Sequence, residues 1–132
     1  MRLCMDCVRD ILIFCETADA DLCPVMTNDI ADAYGDKWDT LSIKYTISKM
    51  SEGGLVSAII LNDGQSLEAQ EPAIFSITWD GHQFLEKIRD EAKWTGVKKA
   101  LSAIRNYSIS AISAVAEGMT ASAINAYFSG QK

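Results

Sequence analysis

The chain has 132 residues, 48% hydrophobic and 23% charged, with a net charge of −6. That length supports one core without staples, and no apolar run approaches the roughly 20 residues of a membrane span. A duplex-binding surface is usually basic, because phosphate neutralisation supplies much of the affinity, and the total excludes a protein that is basic throughout. The distribution is uneven. Residues 1–38 carry eight acids and three bases, residues 39–61 are neutral, the stretch 62–72 is −3, and residues 94–132 are +3.

The first predicted element is a helix from Leu3 to Glu16, with Leu3, Cys7, Ile11 and Phe14 on one face and Val8, Leu12 and Cys15 widening it. Asp6, Arg9 and Asp10 interrupt any apolar leader, so the expected compartment is the cytoplasm. All four cysteines fall in the first 23 residues. Reduced thiols are expected there. Cys4-x-x-Cys7 suggests zinc, but no second pair follows, and core packing is the better reading of Cys4, Cys7 and Cys15. No metal or other cofactor is expected. Asp19, Asp21, Asp29, Asp32 and Asp36 lack the spacing of a calcium loop and read as a solvated acidic face.

Leu22 to Met26 is β-compatible, and Pro24 confines it to an edge. Thr27 or Asn28 caps a short helix from Asp29 to Tyr34, with Ile30, Ala33 and Tyr34 inward and Gly35 as its stop. Asp39 or Thr40 caps a helix running to about Ser51, whose free face is expected to show Ser42, Lys44, Thr46 and Lys49. Gly53 and Gly54 end it. Two strands follow, Leu55–Leu61 and Ala73–Trp79. They pair around a loop that opens on Asn62-Asp63-Gly64, a strong turn signal. Asp80 and Gln83 suggest a capping box for a helix with Phe84, Leu85, Ile88 and Ala92 buried, ending near Trp94. Thr95 caps another, Val97 to about Asn106. The last predicted helix, Ser108 to Phe128, has one charge and an apolar stripe of Ile109, Ile112, Val115 or Ala116, Met119, Ala123 and Tyr127.

Helix, strand, loop, strand, helix is the order of a winged helix-turn-helix. The fold expected is therefore α+β and mostly helical. A winged-helix-like core of three helices and a β-hairpin wing occupies residues 1–93. A C-terminal helical extension, 94–132, packs on the core or at a dimer interface within a single domain.

Three motifs resemble a family of short bacterial and prophage proteins grouped as a domain of unknown function. They are Met5-Asp6-Cys7-Val8-Arg9-Asp10-Ile11-Leu12, Tyr45-x-Ile47-x-x-Met50 through Gly54-Leu55-Val56, and Ile77-Thr78-Trp79-Asp80-Gly81-His82-Gln83-Phe84-Leu85 continuing to Ile88-Arg89-Asp90. Trp94 and Lys98-Lys99 extend the likeness. It implies a small bacterial, phage-associated, cytoplasmic protein and transfers no activity. Gly54-Leu55-Val56 and Ile77-Thr78-Trp79-Asp80-Gly81 also resemble the punctuation of winged-helix regulators, although the recognition helix and wing of those are usually basic.

No residue set forms a catalytic signature, and no enzyme is expected. His82, the only histidine, lacks a nucleophile at recognisable spacing and reads as a local hydrogen-bonding or packing residue. Trp38, Trp79 and Trp94 read as core or interface anchors, since no bases interleave with them. The expected function is a DNA-binding transcriptional regulator contacting double-stranded DNA through Ser42, Lys44, Thr46 and Lys49. The alternative is an acidic protein-interaction module of the same fold. A homodimer through Ile109, Ile112, Val115, Met119 and Tyr127 is expected in either case, because a helix with almost no charge must bury most of its surface.

Overall fold

The computed structural model describes residues 1–104 and 108–118. Within them the protein is α+β and mostly helical: α1 (Met5–Thr17), β1 (Val25–Met26), α2 (Thr27–Tyr34), α3 (Thr40–Glu52), β2 (Val56–Leu61), β3 (Glu71–Ile77), α4 (Trp79–Ile88), α5 (Glu91–Ile104) and α6 (Ile109–Gly118). The chain divides into two compact units, Met1–Leu85 and Glu86–Lys132.

In the first unit the strands form an antiparallel sheet in the order β1-β3-β2, with Val25 opposite Ile74 and Ile59 opposite Ala73. Pro24 immediately precedes β1, an edge strand, where its missing N–H costs no ladder bond. The register shifts between Ser57 and Ala58, and Phe75 is the extra residue on β3. The core joins Ile11 and Leu12 of α1, Ile30 of α2, Ile43, Ile47 and Met50 of α3, and Ile74 of β3, all essentially without solvent exposure. The hairpin loop opens on Asn62, whose φ is +60°, with Gly64 also left-handed at +92°. The Asn62 side-chain amide donates across the loop to the Ala69 carbonyl at 3.1 Å.

Asp10 ties α1 to the turn after α2. It is 7% exposed, and its Oδ2 accepts from Trp38 Nε1 at 2.9 Å and Lys37 Nζ at 2.7 Å. Its carbonyl accepts from the Tyr34 hydroxyl at 2.8 Å. Arg9 is also buried. The Arg-Asp pair of the first motif is thus part of the packing, where a carboxylate needs such partners.

Several expected boundaries and orientations change. α2 begins at Thr27, which is buried, and Asp29 accepts from the Met26 N–H at 2.9 Å; Ala33 is exposed rather than inward. α4 begins two residues before Asp80 would have capped it, because Thr78 is the cap: its Oγ1 accepts from the Gly81 N–H at 3.0 Å. α4 ends at Ile88. Asp90 caps α5 by accepting from the Lys93 N–H at 2.7 Å, and Thr95 is an interior residue bonded to the Glu91 carbonyl. Ser108 caps α6 through the Ala111 N–H.

In the second unit Ile88, Trp94, Val97, Leu101, Ile112 and Ala116 are buried. Lys87 and Glu117 form an ion pair at 2.6 Å. No helix among the described residues is long and apolar enough to cross a membrane.

Candidate functional site

α3 is the element expected to contact DNA. Asp39 caps it, accepting from the Ser42 N–H at 2.7 Å, and this bond holds the Asp39 carboxyl below its ordinary pKa. Four residues of α3 turn into the core: Ile43, Thr46, Ile47 and Met50. At 100° per residue the opposite face is Leu41, Tyr45, Ser48 and Glu52. Lys44 and Lys49 flank that face, and Leu41, Ser42, Tyr45 and Ser48 are half-buried.

The expected contact set is therefore rotated. Thr46 is 2% exposed, and its hydroxyl donates to the Ser42 carbonyl at 2.7 Å. It also bonds the Cys7 side chain of α1. Thr46 belongs to the core and leaves the contact set. Tyr45 and Ser48 belong to the outward face and were not expected there. The signal was present in the sequence: Ile43, Ile47 and Met50 at i, i+4 and i+7 define the inward stripe and carry Thr46 with them.

The lysines already have partners within the chain. Lys44 Nζ donates to the Glu68 carbonyl of the hairpin loop at 2.7 Å. Lys49 pairs with Glu52 at 3.0 Å and sits 5.6 Å from the Tyr45 ring centroid, and Glu52 raises its pKa above the ordinary value. Such exposed contacts are weak, because solvent screens them, so phosphates can displace them.

A second exposed feature lies at the start of α4. Gly81 approaches the Leu55 carbonyl so closely that an added Cβ would overlap it and the Ile77 side chain. Thr78 donates from its hydroxyl to the Gly54 carbonyl and from its N–H to the Leu55 carbonyl. The Thr78-x-x-Gly81 part of the third motif is thus a clamp between α4 and the turn after α3. Trp79 and His82 take no part in it. Trp79 is 78% exposed and so is not a core anchor, whereas Trp94 is buried. His82 is exposed and lines a shallow pocket with Cys15, Glu16, Asp19, Ala20, Asp21 and Ile77.

The cysteines divide into two pairs. Cys7 and Cys15 are buried, and burial raises their thiol pKa to about 11 and about 12. Cys4, expected in the core, precedes α1 and is exposed, as is Cys23. Among the described residues no three His, Cys, Asp or Glu side chains are grouped to hold a metal ion.

The expected dimer stripe also changes. Ile112 is 0% exposed within one chain, so its side chain is not available to a second copy. Ile109 and Val115 are half-buried, and Met119 and Tyr127 lie outside the described residues.

The fold defines an α+β, mostly helical protein. A family model matches residues 2–107, and the chain belongs to that family, described as "Hypothetical protein (DUF2513)". A relative from Haemophilus influenzae, described as "Uncharacterized protein", is 31% identical over 81 residues, covering 61% of this chain and 66% of the relative. No solved structure matches the chain.

Proposed function

We propose that residues 1–85 form a winged helix-turn-helix and that the protein is a cytoplasmic, non-enzymatic regulator, associated with phage or mobile elements, that binds double-stranded DNA through α3. The observation that supports this most is the topology. Helix, strand, helix, helix and hairpin follow in that order, with the first strand against the last in the sheet β1-β3-β2. α3 leads through Gly53-Gly54 directly into the hairpin, so helix and wing meet at one edge of the unit. In this reading Lys44 and Lys49 contact phosphates, and Ser42, Tyr45 and Ser48 face the groove.

Fluorescence anisotropy with mixed genomic duplex fragments, at low and moderate salt, tests it. The expected result is saturable binding that weakens with salt and falls at least tenfold in Lys44→Glu/Lys49→Glu. No binding at low salt, or unchanged affinity in the double variant, overturns it.

The alternative, an acidic protein-interaction module, is favoured by Trp79. An aromatic 78% exposed, one helical turn from His82 and a pocket rich in carboxylates, suits a basic partner surface. Loss of that partner in Trp79→Ala, with DNA binding absent, would be its signature.

A further inference from the structure

β2 is an edge strand, since it pairs with β3 on one side only. Alternate residues of such a strand direct their amide and carbonyl outward. Among the described residues the backbone of 56–61 makes no hydrogen bond beyond the sheet. Proteins usually guard such an edge with a charge, a proline or short length. β2 has six residues, Val-Ser-Ala-Ile-Ile-Leu, and none of these guards. The one irregularity of the hairpin adds Phe75 to β3, the inner strand, and leaves β2 continuous. The outer face is apolar: Ile59 is 54%, Leu61 50% and Phe75 41% exposed.

An occupant of this edge must be extended, uncharged and apolar at alternate positions. β2 itself meets those requirements. We infer that two copies of the chain join edge to edge through β2, antiparallel about a two-fold axis at Ile59, into one continuous sheet. That register sets Ile59 opposite Ile59 of the second copy, and Leu61 opposite Ser57 of the second copy. It pairs positions of equal parity, so both outer faces lie on one side and their Ile59, Leu61 and Phe75 side chains merge. Charge is compatible as well. Like charges directly opposite are destabilising, and this chain carries −6. The same register, carried past the strand ends, sets Asp63 beside Leu55 and Glu52 beside Ser66 of the second copy, so acids do not meet. The seam does not depend on whether α3 binds DNA.

Sedimentation velocity over a micromolar concentration series, with three variants, tests the seam. The wild-type chain is expected to be dimeric. Ile59→Lys and Leu61→Lys, at solvent-facing positions, give folded monomers with unchanged circular dichroism. Val115→Lys on α6 stays dimeric. A second measurement places Cys at Ile59 in a Cys4→Ser/Cys23→Ser background. Oxidation then yields a covalent dimer, because directly opposed Cβ atoms lie about 4.5–5.5 Å apart, close to disulfide reach. Ser57→Cys in the same background stays uncoupled, since it faces Leu61. A wild-type monomer throughout the series, or a dimer that Ile59→Lys leaves intact, overturns the proposal. So does a dimer that only Val115→Lys dissociates.

Discussion

Gly81 sits where a side chain has no room. Its missing Cβ lets the first turn of α4 rest on the Leu55 carbonyl. The blocking atom is backbone, so neither side gives easily. Gly81→Ala is expected to destabilise by about 3 kcal/mol, at the upper end of overpacking costs, as a lowered midpoint in chemical denaturation. A second residue-scale expectation concerns the thiols. Thiolate is the reactive form, and the folded state holds Cys7 and Cys15 protonated to about pH 11 and 12. Ellman's reagent at mildly alkaline pH should react quickly with Cys4 and Cys23 and slowly with Cys7 and Cys15 until the protein unfolds. The linkage runs in the same direction. These raised pKa values contribute stability in full below the ordinary thiol value of 9.0, and that contribution is lost as pH rises toward 11–12.

At the scale of elements, α3 depends on its cap and on one face. Asp39 satisfies the Ser42 N–H, an orphan donor of the first turn. Its folded pKa is lowered from 3.8. Such a group stabilises above its unfolded pKa, and the contribution is lost as pH falls through the folded value. Asp39→Ala should lower the thermal midpoint at neutral pH and flatten the decline in stability below pH 3.8. Asp39→Asn should retain much of the cap, as asparagine caps comparably. A midpoint that Asp39→Ala leaves unchanged would show that packing alone sets the start of α3. The hairpin is the other decisive element. Its loop carries Asp63 and Glu68, with Glu71 at the start of β3, and takes up Lys44 through a carbonyl.

At the scale of the molecule, electrostatics bounds any DNA complex. Only Lys44 and Lys49 lie on the α3 flanks, and the acidic loop adds no attraction. With two phosphate contacts per chain, log K should fall against log salt with a slope of about −2 per chain. A measured slope near zero would remove phosphate contact from the account. The salt titration therefore reports on the DNA reading, whereas sedimentation reports on the seam independently.

The sequence by itself determined the elements. Periodicity identified α1, α3, both long strands and their antiparallel pairing, since a hydrophobic stripe of fixed period buries only as helix or strand. It also located the turns, because Asn62 and Gly64 adopt backbone conformations that few residues accept. Caps were less legible. Thr78, not Asp80, starts α4, and Asp90, not Thr95, starts α5. Any Ser, Thr, Asp or Asn can cap, and only the surrounding turn decides which one does. The tertiary structure alone decided which face of α3 points outward and which residues remain exposed. Tyr45 and Thr46 are adjacent and of similar helical propensity. The packing of α1, which meets Thr46 through Cys7, put one inside and left the other half in water. In the same way Trp79 and Trp94 share chemistry but not burial, and Ile112 is spent within its own chain. Burial is a property of three-dimensional neighbours, and a one-dimensional pattern records only the period that allows it.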